Sequence, residues 1–448
     1  MYKSEYLNKV FDSVKAKYST EKEFLNAVEE FFDSMDYLVK VDDSIEKNAI
    51  LERLLVPERV FEFRVPWMDD NGVVRVNTGY RVQFNSAIGP YKGGLRLDKS
   101  VNLSILKFLA FEQIFKNSLT GLPMGGGKGG SDFDPRGKSD NEIMRFCQAF
   151  MVELYRFIGP DTDIPAGDMG CGAREVGYLY GMYKKLTKEH TGTITGKGLS
   201  FGGSLARTEA TGYGLVYFTS EMLKCYKNDT FKDKRVIVSG TGKVAKYAAI
   251  KARDLGAKVV AMSNIYGYMA SEKGIDVDAI REISDRTDDV ISEYVKLYPD
   301  TKTGTNPHDI WKVKCDIAMP CATQNEINLE DAKALVKNGC YILAEGANMP
   351  TELEAVRYLM QNGVIFSPGK ASNAGGVAVS GLEMTQNAEH LSWTFEEVDN
   401  KLKDIMKNIF KMCYETASKF DQPTNLSLGA NIAGFAKVKD AMIKEGLI

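Results

Sequence analysis

Arg235-Val-Ile-Val-Ser239-Gly240-Thr241-Gly242-Lys243-Val244-Ala245 sets a short apolar run directly before a G-x-G-x-x-A turn, and helical sequence closing at Gly256 follows. Strand, glycine turn and helix in that order are the context a dinucleotide-binding fingerprint demands. Two glycines permit a tight turn and close approach to a pyrophosphate, and Ala245 lets helix and strand pack closely. The phosphates then sit on the helix N-terminus, where unpaired N–H groups and the helix dipole favour negative charge. Gly240, Gly242, Lys243 and Val244 are the cofactor-facing candidates of this turn. A merely structural glycine turn is the competing reading.

An NAD-selective site carries an acidic residue at the end of its second strand, about 20 residues further on. Here that region reads Ala261-Met-Ser263-Asn264-Ile-Tyr-Gly267, with no carboxylate. Nothing repels a 2′-phosphate, and Ser263 and Asn264 offer hydrogen bonds to one. NADP is therefore expected, with NAD use left open. More short apolar runs follow the fingerprint: Ala257-Lys-Val-Val-Ala-Met262, Asp316-Ile-Ala-Met319, Tyr341-Ile-Leu-Ala344 and Val364-Ile-Phe-Ser367. Helical stretches separate most of them. Continuous apolar strands imply burial on both faces, as in a doubly wound, mostly parallel sheet. Residues 203–424 are expected to form this Rossmann-like dinucleotide-binding domain.

Upstream the rhythm differs. Val10, Phe11 and Val14 recur at helical spacing within 5–40. Val60-Phe-Glu-Phe-Arg-Val65 and Tyr80-Arg-Val-Gln-Phe84 alternate as half-buried strands, with Asp70-Asn71-Gly72 as a turn between them. Helical periodicity returns from Asn102 to Leu119 and around Asn141–Ile158. Residues 1–202 thus read as a mixed α/β unit with some antiparallel pairing, the substrate and oligomerisation domain of an α/β protein. The tail 425–448 is expected to pack back on it. Two domains are the natural organisation for 448 residues.

Composition excludes several function classes. Hydrophobic residues make up 44% and charged residues 26%, the globular range, and the formal net charge is -3. No basic surplus serves nucleic-acid phosphates, and no apolar stretch approaches the ~18 residues of a membrane span. The N-terminus lacks a signal-peptide core. Seven scattered cysteines without a C-x-x-C pair, and three distant histidines, suggest neither disulfides nor a metal site. A reduced, cytoplasmic protein without nucleic-acid or membrane partners is expected.

Four segments of the first unit carry chemistry. In Gly89-Pro-Tyr-Lys92-Gly-Gly-Leu-Arg96 a lysine is held in a loop after a strand, beside glycines that permit close ligand approach; a solvent-exposed loop lysine is the alternative. Gln113 and Lys116 are three apart on a helix and share a face that suits one carboxylate, unless Lys116 serves only an i,i+4 pair with Glu112. Lys128 lies in Pro123-Met-Gly-Gly-Gly-Lys128-Gly-Gly130, which departs from a Walker A loop at Leu122 and Gly129. So many glycines suit a loop pressed against a substrate or another backbone. A desolvated lysine among other cations has a lowered pKa and acts as a base near neutrality; a flexible surface loop is the rival reading. In Asp163-Ile-Pro-Ala-Gly167-Asp168-Met-Gly-Cys-Gly172, Asp168 is either a proton carrier beside Lys128 or the N-cap of the following helix.

Pro90–Arg96, Gly125–Asp132, Pro165–Asp168, Gly202–Gly214 and Asn373-Ala-Gly-Gly-Val-Ala-Val-Ser380 together closely resemble the hexameric glutamate dehydrogenases of the Glu/Leu/Phe/Val dehydrogenase family. The likeness runs end to end. It implies reversible oxidative deamination of L-glutamate to 2-oxoglutarate and ammonia with NADP, by a homohexamer. By that resemblance Lys128 is the catalytic lysine and Asp168 the proton-shuttling carboxylate. Lys116, Gln113 and the backbone at Gly167 hold the α-carboxylate, and Lys92 and Ser380 hold the γ-carboxylate. Arg207 and Thr211 fall where the family lines its interdomain cleft, Thr211 near the nicotinamide amide, and Asn348 and Asn373 match cofactor-facing positions. The family's usual asparagine after the second fingerprint glycine is Lys243 here, a candidate phosphate contact. Relatives acting on leucine or phenylalanine carry apolar residues at the side-chain pocket, so Lys92 with Ser380 points to glutamate.

Overall fold

The computed structural model describes residues 2–447. The chain divides into two compact units. Unit 1 takes the chain up to Leu205, Val379–Val398 and the tail from Asn431, whereas unit 2 takes Ala206–Ala378 and Asp399–Ala430. The excursion Val379–Val398 gives no sign in the sequence, because it begins inside one uninterrupted helix, Gly375–Glu389.

Unit 1 is built on five strands: β1 (Arg59–Met68), β2 (Val74–Asn85), β3 (Tyr91–Leu97), β4 (Gly125–Ser131) and β5 (Asp163–Gly167). Their order is β1-β2-β4-β3-β5. β1 and β2 form an antiparallel hairpin, β2 pairs antiparallel with β4, and β4, β3 and β5 run parallel. The Asp69 carboxylate closes the hairpin turn by accepting from the Asn71 and Val73 amides at 3.0 and 2.9 Å.

Two expectations fail here. The glycine run Gly125–Gly130 is not a loop but a fully buried strand inside the sheet, and Lys92 stands on strand β3 rather than in a loop. Glycine disfavours strands intrinsically, yet here close approach requires it. A Cβ on Gly93 would lie 1.6 Å from the Gly127 carbonyl oxygen, and one on Gly126 would lie 2.4 Å from Ile114 Cγ1. Ile114 belongs to the helix Leu103–Leu119, which is started by the Asn102 side chain accepting from the Ile105 amide and is buried on nearly every side. That burial needs apolar neighbours, and Phe31 supplies one, with ring centroids 5.4 Å from Phe111 and 4.6 Å from Phe115.

Unit 2 holds a seven-stranded sheet of β6 (Arg235–Ser239), β7 (Lys258–Asn264), β8 (Gly267–Ala270), β9 (Lys302–Gly304), β10 (Ile317–Met319), β11 (Ile342–Ala344) and β12 (Ile365–Ser367). Its order is β12-β11-β10-β6-β7-β8-β9. The five expected strands are the parallel ones. β8 and β9 add an antiparallel edge whose strands are too short to announce themselves in the sequence. Ile237, Ala318, Leu343 and Phe366 from four adjacent strands meet in one core. β6 sits where the chain order reverses, β7 on one side and β10 on the other. In open α/β sheets such a switch point opens a crevice at the carboxyl ends of the strands. The described residues include no helix long and apolar enough to cross a membrane.

Gly93→Ala is expected to lower stability by about 3 kcal/mol or more, since backbone must move to admit the methyl. Gly181→Ala, with nothing within 4 Å of its added Cβ and an exposed place in the helix Ala173–Thr187, should gain roughly 0.5–1 kcal/mol. Urea midpoints of both variants check this; a wild-type midpoint for Gly93→Ala contradicts the packing account.

Candidate active site

Two neighbouring parallel strands and one helix carry the three candidate lysines of unit 1. Lys92 on β3 pairs with Gly126 of β4 and Ile164 of β5, and Lys128 on β4 pairs with Val82 of β2. Asp168 follows β5 at once. Its carboxylate receives two cations: Lys128 Nζ lies 3.2 Å from Oδ1, and Arg96 Nε donates to Oδ2 at 2.9 Å. Lys128 is 5% exposed. Burial pushes its pKa below the ordinary lysine value; Asp168 pulls it up, and Arg96 and Arg81 push it down again. Burial alone would raise the Asp168 pKa, but Lys128 and Arg96 outweigh it and hold the carboxyl well below its usual range. Asp168 does not cap the next helix: Gly172 occupies the N-cap, and its amide donates to Glu175.

Lys92 is buried. Its ammonium donates to the Thr195 hydroxyl at 2.8 Å and the Ile164 carbonyl at 3.0 Å. Gln113 and Lys116 are half-buried on the helix Leu103–Leu119. Gln113 Nε2 donates to Asn117 Oδ1 at 2.6 Å, and Asn117 donates to the Lys92 and Gly125 carbonyls at 3.1 and 2.6 Å. That chain of bonds ties the helix to β3 and β4. Gly167 ends β5, and Ser380 is buried on the part of its helix that belongs to unit 1.

A second ion pair lies deeper in the sheet. Arg81 on β2 forks onto Asp163 on β5, both fully buried, while Gln83 donates to the same carboxylate at 3.0 Å. Arg81 Nη1 also reaches the Gly93 carbonyl at 3.0 Å. A paired and hydrogen-bonded guanidinium is the form in which a buried charge is tolerated.

In unit 2 the fingerprint turn follows β6. Gly240 takes φ +87°, and Gly242 caps the helix Lys243–Asp254 without a side-chain bond. An added Cβ at Gly242 would meet nothing within 4 Å, so the helix N-terminus faces open space. Lys243 is exposed there and Val244 half-buried. Ser263 is buried at the end of β7. Asn264 is engaged locally, accepting from the Tyr266 amide at 2.9 Å and donating to the Asp288 carbonyl at 3.3 Å. The segment that carries Asp288 also brings Asp285 onto Lys246 of the fingerprint helix, with Oδ1 and Nζ 2.5 Å apart. The corner without a carboxylate in local sequence thus has one in space.

Thr211 and Arg207 are half-buried beside Gly376; an added Cβ there would lie 2.5 Å from Thr211 Oγ1 and 3.6 Å from Arg207 Nη1. Arg207, expected among the substrate residues, belongs to unit 2, as do Thr211, Asn348 and Asn373. Asn373 Nδ2 donates to the Ala347 carbonyl at 3.1 Å and to Oδ1 of exposed Asn348 at 3.0 Å. Asn373 Oδ1 is buried and has no donor, an arrangement that costs about 1–3 kcal/mol and suits a site that accepts an N–H from a ligand.

Residues 57–185 match the family profile described as Glu/Leu/Phe/Val dehydrogenase, dimerisation domain, and residues 202–446 match the one described as Glutamate/Leucine/Phenylalanine/Valine dehydrogenase. The chain belongs to this dehydrogenase family. It is 55% identical to the NAD-specific glutamate dehydrogenase of Porphyromonas gingivalis, over 98% of this chain and 99% of that one. It is also 54% identical to the NADP-specific glutamate dehydrogenase of Helicobacter pylori, over 99% and 100%. The crystal structure of Plasmodium falciparum glutamate dehydrogenase superimposes with a TM-score of 0.95 at 51% identity, covering 99% of this chain and 95% of that one.

Sequence reasoning missed Arg96, Asn117, Thr195 and the Arg81–Asp163 pair. Arg96 carried a weak signal, standing in the same segment as Lys92. Thr195 and Asp163 lie 103 and 82 residues from their partners, and no local pattern joins them. The seven cysteines are all free, and the described residues include no cluster of three or more metal-ligating groups.

In Asp168→Asn, Lys128 loses the neighbour that raises its pKa while burial and Arg96 remain. Its pKa should fall further, so amine labelling read by peptide mass spectrometry over a pH series should reach Lys128 at lower pH than in wild type. The Asp168 pKa is depressed from 3.8, so the stability that its ionised form contributes is present above that value and lost as pH falls through the lower folded one. The stability gap between wild type and Asp168→Asn should close over that acid range.

Proposed function

We propose that this chain is a glutamate dehydrogenase that interconverts L-glutamate and 2-oxoglutarate plus ammonium. The observation that carries the reading is the desolvated Lys128 beside Asp168 and Arg96, on a platform that also presents Lys92 and Lys116. A dicarboxylate needs cations at both ends. Lys116, Gln113 and the Gly167 backbone receive the α-carboxylate, and Lys92 and Ser380 the γ-carboxylate. An apolar side chain at that position would bring no charge to the buried Lys92 ammonium, and a site built on polar contacts rejects such a ligand strongly.

In the oxidative direction, glutamate, water and oxidised cofactor give 2-oxoglutarate, ammonium, reduced cofactor and a proton. A bound nicotinamide cofactor would supply the hydride acceptor for the substrate Cα. Lys128 is the base: its lowered pKa keeps a neutral amine accessible, which takes a proton from the water that adds to the iminium carbon. Asp168 is anionic while Lys128 is charged, and its proton affinity rises when Lys128 becomes neutral. The two titrate as a pair, and the proton passes between them over 3.2 Å. Arg96 keeps Asp168 oriented throughout.

Gly240, Gly242, Lys243 and Val244 would hold the pyrophosphate end of the cofactor, Ser263 the ribose end, and Thr211, Asn348 and Asn373 the nicotinamide end, with Arg207 beside the substrate. The open Gly242 turn and the unmatched Asn373 oxygen fit such a ligand. NADP is the proposed cofactor, with NAD as a second substrate, because Lys243 and Lys246 lie at this end of the fingerprint helix. Asp285 partly offsets that charge, and the relatives include both specificities. Unit 1 is the substrate and self-association part, unit 2 the cofactor part. A homohexamer is proposed from the dimerisation-domain profile and from the exposed Met68, Val73, Val74 and Val76 of the β1–β2 hairpin; a hetero-hexameric glutamate dehydrogenase from Thermus thermophilus shares the fold at a TM-score of 0.84 and 27% identity. Seven free cysteines suit a reduced cytoplasm.

NADPH oxidation with 2-oxoglutarate and ammonium should proceed, and faster than NADH oxidation. Lys128→Met should lower kcat by about 10²–10⁴-fold, the usual share of a general base. Absence of turnover with either cofactor in the wild type, or a Lys128→Met rate near wild type, refutes the assignment.

A further inference from the structure

Two of the polar groups assigned to the γ-carboxylate stand on separate pieces of unit 1. Lys92 is anchored to Thr195, whose own amide donates to the Pro165 carbonyl at 3.0 Å, so that the segment after the helix Ala173–Thr187 runs beside β5. Ser380 lies on the helix Gly375–Glu389. What joins these pieces is a carboxylate one turn beyond Ser380. Glu383 is fully buried, and its Oε1 lies 2.7 Å from Lys197 Nζ, itself 1% exposed. Glu383 Oε2 accepts from the Gly196 amide at 2.9 Å, and Oε1 accepts from the Lys197 amide at 3.3 Å. Lys197 Nζ also donates to the Ile194 carbonyl and, at 2.7 Å, to Asn387 Oδ1 on the same helix.

Every residue from Ile194 to Lys197 therefore serves one of two tasks. Thr195 faces Lys92, while Gly196 and Lys197 bind the helix that carries Ser380 and the Ile194 carbonyl holds the Lys197 ammonium. A buried carboxylate with three donors, one of them a matched cation, is rigid, because any displacement leaves a desolvated charge without partners. Rigidity of this kind between two halves of a subsite sets the distance between them.

We propose that Glu383, with Lys197, is a positioning residue for the distal-carboxylate subsite, fixing the separation of Lys92–Thr195 from Ser380 and so the length of dicarboxylate accepted. This rests on the reading of Lys92 and Ser380 as γ-carboxylate ligands. Glu383 touches neither substrate nor cofactor in this account. Its loss widens the subsite without removing the base.

The test compares wild type, Glu383→Gln, Asn387→Ala and Lys92→Leu in the reductive direction, with 2-oxoglutarate and its one-carbon-longer homologue 2-oxoadipate. Glu383→Gln should raise KM for 2-oxoglutarate on the order of tenfold with kcat within about threefold, the pattern of displaced binding groups. KM for the cofactor should stay unchanged, and the kcat/KM preference for 2-oxoglutarate over 2-oxoadipate should shrink. Asn387→Ala, which keeps the ion pair and removes one of its bonds, should shift the same quantities in the same direction by less, and it decides the matter if Glu383→Gln does not fold. Wild-type KM and chain-length preference in the folded variants, or a fall in kcat alone, overturns the proposal. Collapse of 2-oxoglutarate turnover in Lys92→Leu alongside wild-type behaviour of the other two removes the positioning role only. Wild-type KM in Lys92→Leu removes the subsite reading and the proposal with it.

Discussion

An ammonium group taken out of water costs several kcal/mol unless an anion and hydrogen bonds replace its hydration. Lys128 meets that requirement with a carboxylate 3.2 Å away that is itself shared with Arg96. The surplus of positive charge over this one carboxylate keeps Asp168 ionised and, with burial, weakens the hold of Lys128 on its proton. Much of unit 1 follows from placing those groups. Lys128 must project from a strand rather than a mobile loop, so β4 is enclosed between β2 and β3. The helix bearing Gln113 and Lys116 lies close on that strand at Gly126, where a Cβ would meet Ile114, and Gly127 and Gly129 beside Lys128 lie close on the neighbouring strands. Arg81 and Asp163, deeper in the sheet, hold β2 and β5 to one register across the strands between them.

The same logic of paired charge recurs at the far end of the lysine platform. Lys92 donates to neutral oxygens of Thr195 and Ile164. Lys197, nearby in sequence to Thr195, is instead paired with Glu383. The two ammonium groups thus stand in different surroundings, one donating to a hydroxyl and a carbonyl and the other to a carboxylate.

The dinucleotide half of the fold was legible because its signals are local. A β-branched run, two glycines and an alanine lie within eleven residues of each other at 235–245, and the parallel strands are continuous apolar runs. The catalytic half was legible only in part. Lys92, Gln113, Lys116, Lys128, Asp168 and Ser380 were marked by residue type and by family resemblance, but the glycine strand was misread as a loop. Propensity disfavours glycine in strands, whereas the tertiary requirement for close approach at Gly93 and Gly126 outweighs propensity. Thr195, Glu383 and Asp163 were silent, since their partners lie 82 to 187 residues away and pairing at that range leaves no periodic trace. The edge strands β8 and β9 are four and three residues long, too short to establish alternation.

The central claim is that the lysine platform of unit 1 receives a dicarboxylate with its reacting carbon presented to Lys128. A crystal structure of the protein with 2-oxoglutarate and reduced cofactor tests it most directly. The account predicts one carboxylate on Lys92 and Ser380, the other on Lys116 and Gln113, and the keto carbon facing Lys128 Nζ with Asp168 still in contact. Density for the ligand away from Lys128, or with a single carboxylate on the platform and none on Lys92, would contradict it.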